Sequence, residues 1–294
     1  MRWFGSLPAQ VRGVSWMLLQ AVFFAAMSAV VHQLGRTMPA LEIVFFRYFF
    51  GLVVMVPWLL RTGAAAFRTV HPRMVLLRNF SVFFAVLVWF SALASRLPIS
   101  DSIALQFTLS LFVVLGAAIF LRESVGWRRW AAVGVGFVGA VVIIRPGFVD
   151  PDPAMFLVLL SAVIYAAAHL LTKVVSAYIG GPKLVFQMNL TMAPIALVCA
   201  LPGWVMPTWA DAPWLLSLGV FSSVAHICLT RAYAAADASF VEPVDFSRLP
   251  ISALYGWVLF RETSDAWTWA GAALIFAAVI YNTRHETRRR KQRP

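Results

Sequence analysis

Charged residues are scarce in this sequence. Asp, Glu, Lys and Arg together make up only 12% of the 294 residues, whereas soluble domains carry about 25%. Hydrophobic residues make up 61%. A chain with so little charge lacks the side chains that a water-facing surface needs, so the composition argues against a soluble globular protein and favours one whose solvent is the lipid bilayer.

Cysteine is almost absent as well. Cys199 and Cys228 lie in separate apolar runs, which argues against a disulfide framework or a cysteine-based metal site. We expect two separate buried thiols, and neither a metal nor a cofactor. Residues 134–139 match the dinucleotide-binding pattern G-x-G-x-x-G, but no strand precedes them. We therefore assign these glycines to close helix packing.

Long apolar runs dominate what is present. A helix of about 20 apolar residues spans a bilayer. Lipid offers no hydrogen-bond partners, so the backbone N–H and C=O groups of each span must bond to one another, as they do in a helix. The sequence therefore predicts an all-α integral membrane protein with ten transmembrane helices. The predicted spans cover 14–34, 40–60, 74–95, 98–121, 127–145, 153–177, 180–202, 212–236, 239–261 and 266–283.

The basic residues between these runs predict the orientation. With a cytoplasmic N-terminus, 18 Lys and Arg residues fall on the inner side, Arg78 and the tail 284–294 among them, and four fall outside. Cytoplasmic loops carry such an excess. We expect a multi-pass protein of the bacterial inner membrane with both termini in the cytoplasm. The net charge of +12 is then a topology signal, and no nucleic-acid partner is expected.

The two halves of the chain resemble each other. Residues 20–26 resemble 161–167 at an offset of 141, and residues 120–123 resemble 259–262 at an offset of 139. We expect a first five-helix repeat at 14–145 and a second at 153–283, followed by a basic tail at 284–294. Five is an odd number, so the second repeat would enter the membrane upside down. Inverted repeats are a basis of alternating access.

Several polar residues fall inside the predicted spans, where an ionisable group costs about 2.5–3.5 kcal/mol and usually faces a cavity or the bundle interior. In span 9, Glu242, Asp245 and Arg248 recur every third residue between Pro243 and Pro250. We expect a kinked, charged helix there that lines part of a cavity, with Glu242 near the cytoplasmic interface. The structural alternative is an ion pair of Asp245 with Arg248 or Arg47. The candidate substrate-binding residues are Asp245, Glu242, Arg47, Arg248, His169, Gln106, Phe107 and His226.

Three segments carry a family resemblance. They are the run 42–48 in span 2, the Arg-Glu pairs at 122–123 and 261–262, and the run 235–239 that leads into span 9. The chain resembles the drug/metabolite transporter superfamily, in its ten-helix branch with two EamA-type domains, over about residues 14–283. Within it, span 2 and span 9 look most like the S-adenosylmethionine uptake transporters. The resemblance implies a secondary transporter with a central cavity lined by both halves.

We therefore expect a transporter of a small polar metabolite, zwitterionic or cationic, with S-adenosylmethionine or a related amino-acid-derived compound as the first candidate. Export of amino acids or organic cations, and transport of a riboflavin-type vitamin, stay open. The expected partners are the substrate, membrane lipid and a coupling proton or exchanged solute, in a monomer or homodimer. A membrane-embedded lipid enzyme would need a nucleophile or metal cluster, and none is evident. A channel would not require an inverted repeat.

Overall fold

We describe the protein from a computed structural model. The structure describes residues 8–94, 102, 106, 108–122, 126–144, 153–261, 266, 267, 269–271, 273, 274 and 277. The predicted site residue Phe107, the pairing of Glu123 and Glu262 and the basic tail lie outside these residues. So do the first part of predicted span 4, apart from two positions, and much of span 10.

The described part of the chain is helical. The helices, numbered in chain order, are α1 (Ala9–Leu34), α2 (Ala40–Thr62), α3 (Pro72–Leu93), α4 (Thr108–Phe120), α5 (Trp127–Ile144), α6 (Pro153–Ser176), α7 (Gly181–Ala200), α8 (Ala212–Ala235), α9 (Ala238–Val241) and α10 (Arg248–Phe260). Short 3₁₀ turns follow α2 at Gly63–Ala66 and α7 at Leu201–Gly203, and a third 3₁₀ helix covers Glu242–Ser247.

Six of the described helices are long and apolar enough to cross a bilayer. They are α1, α2 with its 3₁₀ turn, α3, α6, α7 with its 3₁₀ turn, and α8. The predicted all-α membrane architecture is confirmed. The predicted bounds agree with the helices to within a few residues, except that α1 begins at Ala9 rather than at residue 14.

The helices pack in pairs that repeat across the two halves. The most extensive contacts are between α1 and α8, between α3 and α6, and between α2 and α7. If the first five spans are matched in order with the last five, the α1–α8 contact corresponds to α6–α3, and the α2–α7 contact corresponds to itself. The α4–α6 and α10–α1 contacts correspond in the same way.

The arginines of the two Arg-Glu pairs, which the repeat predicts to be equivalent, share an unusual backbone conformation. Arg122 has φ 52° and Arg261 has φ 58°. Among the described residues, these two are the only non-glycine positions with positive φ. A left-handed residue commonly ends a helix, but glycine or asparagine usually supplies it. Both arginines follow the ends of corresponding helices, α4 and α10. The corresponding helices of the two halves are therefore both followed by a left-handed arginine.

Predicted span 9 is a broken helix. After α9, the backbone runs as the 3₁₀ helix Glu242–Ser247 and returns to α-helix at Arg248. Proline at position 243 lacks the N–H that an α-helix would use, which accounts for the change in hydrogen bonding. A 3₁₀ helix has three residues per turn, so residues three apart lie one above the other. The break therefore aligns Glu242 and Asp245 more closely than a regular α-helix would.

The glycines of the G-x-G-x-x-G pattern lie within α5, as the sequence analysis expected. A Cβ atom at Gly136 would lie 2.5 Å from the Phe246 ring, so this glycine lets α5 pack against the 3₁₀ helix.

The expectation of two buried thiols was wrong for one cysteine. Cys228 is buried, but Cys199 is exposed on the surface of the bundle. An apolar sequence context does not distinguish a lipid-facing position from an interior one.

Two contacts bring helices of the two halves close together: α2 with α8, and α3 with α7. At Gly219 of α8, a Cβ atom would lie 2.5 Å from the Cβ of Phe50 and 2.6 Å from its backbone carbon. In the corresponding α3–α7 contact, Asn79 Nδ2 donates to Thr191 Oγ1 at 3.1 Å. The α2–α8 contact needs a glycine at position 219, because a side chain there would collide with Phe50. The α3–α7 contact is made by a hydrogen bond.

Replacing Gly219 with valine is expected to destabilise the protein by about 2 kcal/mol, because overpacking forces backbone shifts that cost about 1–3 kcal/mol. The measurement is the thermal unfolding midpoint in detergent. The matched control is Gly134→Ala in α5, where no described atom lies within 4 Å of the new Cβ. An unchanged midpoint for Gly219→Val would contradict the close approach of α2 and α8.

Candidate functional site

Buried polar side chains from α2, α3, α6, α8, the 3₁₀ helix and α10 form a cluster that is linked by direct contacts and by electrostatic interactions. All seven described candidates from the sequence analysis are buried, with exposed fractions of 7% or less. Arg47, Arg248 and Glu242 are almost fully enclosed. Burying a charge is costly unless it is paired, so the partners of each side chain decide what the cluster can do.

Arg47 of α2 contacts a histidine instead of a carboxylate. Its Nη2 lies 3.3 Å from Nε2 and 3.4 Å from Nδ1 of His226 in α8. His226 Nδ1 also lies 3.1 Å from the Ser222 carbonyl. With Nδ1–H donating to that carbonyl, Nε2 is left to accept from Arg47, which assigns a neutral imidazole. Arg47 Nε and Nη1 are buried and, among the described residues, have no hydrogen-bond partner.

Arg78 of α3 is a second buried arginine. It is one of the basic residues expected on the inner side, and its side chain is fully buried. Its Nε donates to Thr172 Oγ1 at 3.0 Å, and its Nη1 lies 3.3 Å from Asn79 Oδ1 and 3.0 Å from Met188 Sδ. The position of Arg78 inside predicted span 3, well past Pro72, was the signal for its burial.

Further donors without partners surround these arginines. The Tyr165 hydroxyl and Arg78 Nη2 are buried and make no hydrogen bond within the described part of the chain. Tyr165 lies in electrostatic range of Arg47, Arg78 and Arg248. A buried donor that is left unsatisfied costs about 1–3 kcal/mol. The arrangement therefore favours a ligand that brings hydrogen-bond acceptors.

Glu242 of the 3₁₀ helix binds two other helices. Its Oε2 accepts from the Tyr233 hydroxyl at 2.5 Å, and its Oε1 lies 3.3 Å from His169 Nδ1. Tyr233 and His169 also contact each other, at 2.9 Å. Its side chain is fully enclosed, and its expected place near the cytoplasmic interface stays a prediction.

Asp245 and Arg248 form the ion pair that the sequence analysis named as the structural alternative. Arg248 Nη2 lies 3.4 Å from Asp245 Oδ2, and its guanidinium lies over the Phe24 ring at 4.3 Å. Asp245 is also in electrostatic range of Glu242 and His169. The pair and the Glu242 group therefore belong to one electrostatic cluster.

Gln106 lies next to α6. Its Oε1 accepts from the Ser161 hydroxyl at 2.9 Å, while its Nε2 has no hydrogen-bond partner in the described ranges. Its amide group adds one more buried donor to the cluster.

Other polar groups fasten the loop between α7 and α8. Glu42 Oε2 accepts from the Val205 N–H at 3.0 Å. Asp211 Oδ2 accepts from the backbone N–H and hydroxyl of Thr208 at 2.9 and 2.7 Å. These bonds from Thr208 lower the pKa of Asp211, because they favour the charged carboxylate. Glu42 therefore has a local structural role here, away from the arginines.

Comparison with known proteins assigns this architecture to a family. The profile of the EamA-like transporter family matches residues 11–145 and 152–284. The chain belongs to the EamA-like transporter family. The two matches lie one in each half of the chain, so the recognised resemblance to the ten-helix drug/metabolite transporters is confirmed.

The curated relatives of this family member are transporters. A riboflavin transporter of Rhizobium johnstonii is 36% identical over 96% of this chain and 94% of its own length. A riboflavin transporter of Vibrio cholerae is 34% identical over 96% of both chains. An S-adenosylmethionine uptake transporter of Rickettsia bellii is 29% identical over 92% of both. A solved crystal structure with a TM-score of 0.76, at 18% identity, covers 97% of this chain and 99% of that chain and shares the fold.

Proposed function

We propose that this protein is a secondary transporter of riboflavin or a closely related flavin. The observation that carries the proposal is the set of buried donors around Arg47 and Arg78. Neither arginine has a carboxylate partner in the described part of the chain. A flavin offers ring carbonyls and ring nitrogens as acceptors, an electron-poor ring system and a polar ribityl chain. The riboflavin transporters among the relatives, at 36% and 34% identity, support the same substrate.

The surrounding aromatic side chains suit a planar ring. Arg47 lies over the Tyr48 ring at 4.7 Å, and the rings of Phe24 and Trp89 have centroids 5.1 Å apart with their planes tilted by 33°. Aromatic pairs favour offset or edge-to-face contacts, so a flavin ring can be held between such side chains while the arginines bind its carbonyl edge.

S-adenosylmethionine is the second candidate. It carries a sulfonium cation and an α-amino group, which require carboxylates, and an α-carboxylate, which requires an arginine. Asp245 and Glu242 supply two buried carboxylates. Both are already engaged, by Arg248 and by Tyr233 with His169, so binding a cation there would have to displace those partners. The free groups around Arg47 fit the flavin better.

We infer that transport proceeds by alternating access of two inverted repeats, at 14–145 and 153–283, in the bacterial inner membrane, with both termini in the cytoplasm. The corresponding helix contacts of the two halves and the left-handed arginines at 122 and 261 support the repeat. The substrate leaves chemically unchanged, and the driving force comes from an ion gradient or from exchange.

A thermal-shift titration of the purified protein tests the substrate. A ligand that binds only the folded state stabilises it by about 2.7 kcal/mol at a hundred times its dissociation constant. Riboflavin is expected to raise the unfolding midpoint saturably, and S-adenosylmethionine, lysine and a quaternary ammonium ion are not. A saturable rise with S-adenosylmethionine alone would replace the first candidate with the second.

A further inference from the structure

We propose that Glu242, His169 and Tyr233 form a proton-binding site that couples transport to a proton gradient. This inference rests on the proposed transport function, but it does not depend on which substrate moves. The three residues come from three separate elements: the 3₁₀ helix, α6 and α8. A change of charge at this point therefore acts on the contact between all three.

The geometry favours a charged Glu242. The Tyr233 hydroxyl lies 2.5 Å from Glu242 Oε2 and donates its single proton there. With the proton of His169 on Nδ1, the imidazole N–H donates to Tyr233 at 2.9 Å and faces Glu242 Oε1 at 3.3 Å. In that tautomer both donors point toward Glu242, which then accepts as a carboxylate.

A proton on Glu242 would change this contact. A protonated carboxyl has one O–H donor and a reduced capacity to accept, so the charge-assisted bonds from Tyr233 and His169 would weaken. Such bonds are about twice as strong as neutral ones. The 3₁₀ helix has weaker internal hydrogen bonds than an α-helix, so it depends more on these side chains for its position. Protonation would thereby release the broken helix from α6 and α8.

Other charged groups face this site. Lys173 of α6 donates to the carbonyls of Tyr233 and Ala236, at 2.9 and 2.7 Å, so its charge is directed to the end of α8. His226 of α8 lies in electrostatic range of His169. The described residues of α4 carry no ionisable side chain. The remaining charged residues on elements packed against the 3₁₀ helix are Asp245, Arg248, Arg12 of α1, and Arg128 and Arg129 of α5.

Asp245 is less suited to this role than Glu242. It is paired with Arg248 at 3.4 Å, and protonating it would remove the negative partner of a buried arginine, at a cost of several kcal/mol. The partners of Glu242 are a phenol and an imidazole, which tolerate a neutral carboxyl. The proton therefore binds at Glu242.

The test uses proteoliposomes that carry Glu242→Gln. Two quantities are measured with labelled riboflavin: exchange at zero gradient, and net uptake driven by an imposed pH gradient. Wild-type net uptake should rise at least about 10-fold with the gradient. In the variant, the gradient should no longer stimulate net uptake, whatever its level of exchange, because no proton can bind the amide at position 242. Persistent stimulation in the variant would overturn the proposal, and so would its absence in the wild type.

Two further variants sharpen this result. Glu42→Gln is the matched control, because Glu42 is also a buried glutamate but binds only a loop N–H; it should keep the stimulation. Tyr233→Phe removes one donor to the charged carboxylate, which makes protonation easier and should move the pH of half-maximal uptake upward. An unchanged pH profile of Tyr233→Phe would contradict the proposal even if Glu242→Gln did not fold. Failure of the substrate assignment would appear separately, as absent riboflavin exchange in the wild type.

Discussion

Replacing Arg47 with methionine is expected to lower uptake at subsaturating substrate about 30-fold and to leave the protein at least as stable as wild type. The guanidinium is fully buried, and its described contact is to the neutral His226. Replacing a poorly paired buried charge by a well-packed apolar side chain is often neutral or stabilising by about 1–4 kcal/mol. If Arg47 binds the substrate, loss of a charged hydrogen bond costs about 2 kcal/mol, or about 30-fold in affinity.

Lowered uptake together with unchanged or raised stability identifies Arg47 as a binding residue. A residue kept for stability would lower the unfolding midpoint when it is removed, whereas one kept for function lowers uptake alone. The matched control is Arg231→Met, because Arg231 lies on the exposed side of α8 over the Trp16 ring at 4.7 Å. Normal uptake by Arg47→Met, or a strongly lowered midpoint, would contradict the assignment of Arg47.

Replacing Asp245 with asparagine is expected to lower the stability by about 3 kcal/mol and to lower uptake only as far as folded protein is lost. The carboxylate is the ion-pair partner of Arg248 at 3.4 Å, and both side chains are buried. Removing one member of a buried pair leaves an uncompensated charge, which costs about 3–5 kcal/mol. The measurements are the unfolding midpoint in detergent and uptake into proteoliposomes.

A double variant tests whether the lost stability comes from the broken ion pair. Asp245→Asn combined with Arg248→Met removes both charges and should recover most of the lost stability. Coupling of this kind between contacting residues is read from a double-mutant cycle. If the two single effects simply added, Asp245 and Arg248 would not be an energetic pair.

Much of the architecture could be predicted from the sequence. Apolar run length and proline-containing breaks located the spans, because a bilayer allows only helices of one approximate length. The three-residue spacing of span 9 predicted the pairing of Asp245 with Arg248, which the structure confirms. The two prolines predicted a kink, and the break at Glu242–Ser247 is its observed form. These features are local, so the sequence carries them directly.

The partners of the other polar residues could not be predicted. Arg47 meets His226 across 179 positions, and His169 meets Glu242 across 73. Such contacts depend on how the helices pack, and no local pattern records that. Arg78 is expected on the inner side because basic residues near span ends usually mark the cytoplasmic side, and that rule does not predict its burial. Its burial follows from Thr172 and Met188 on the facing helices, which sequence alone does not bring together.

The most direct test of the account is labelled riboflavin uptake into proteoliposomes that contain wild type, Arg47→Met or Arg231→Met. The account predicts saturable uptake by wild type and by Arg231→Met, and about 30-fold lower uptake at subsaturating riboflavin by a folded Arg47→Met. Equal uptake by Arg47→Met and wild type would show that the buried arginine does not bind the substrate. Absent uptake by the wild type, with uptake of another compound, would contradict the flavin assignment.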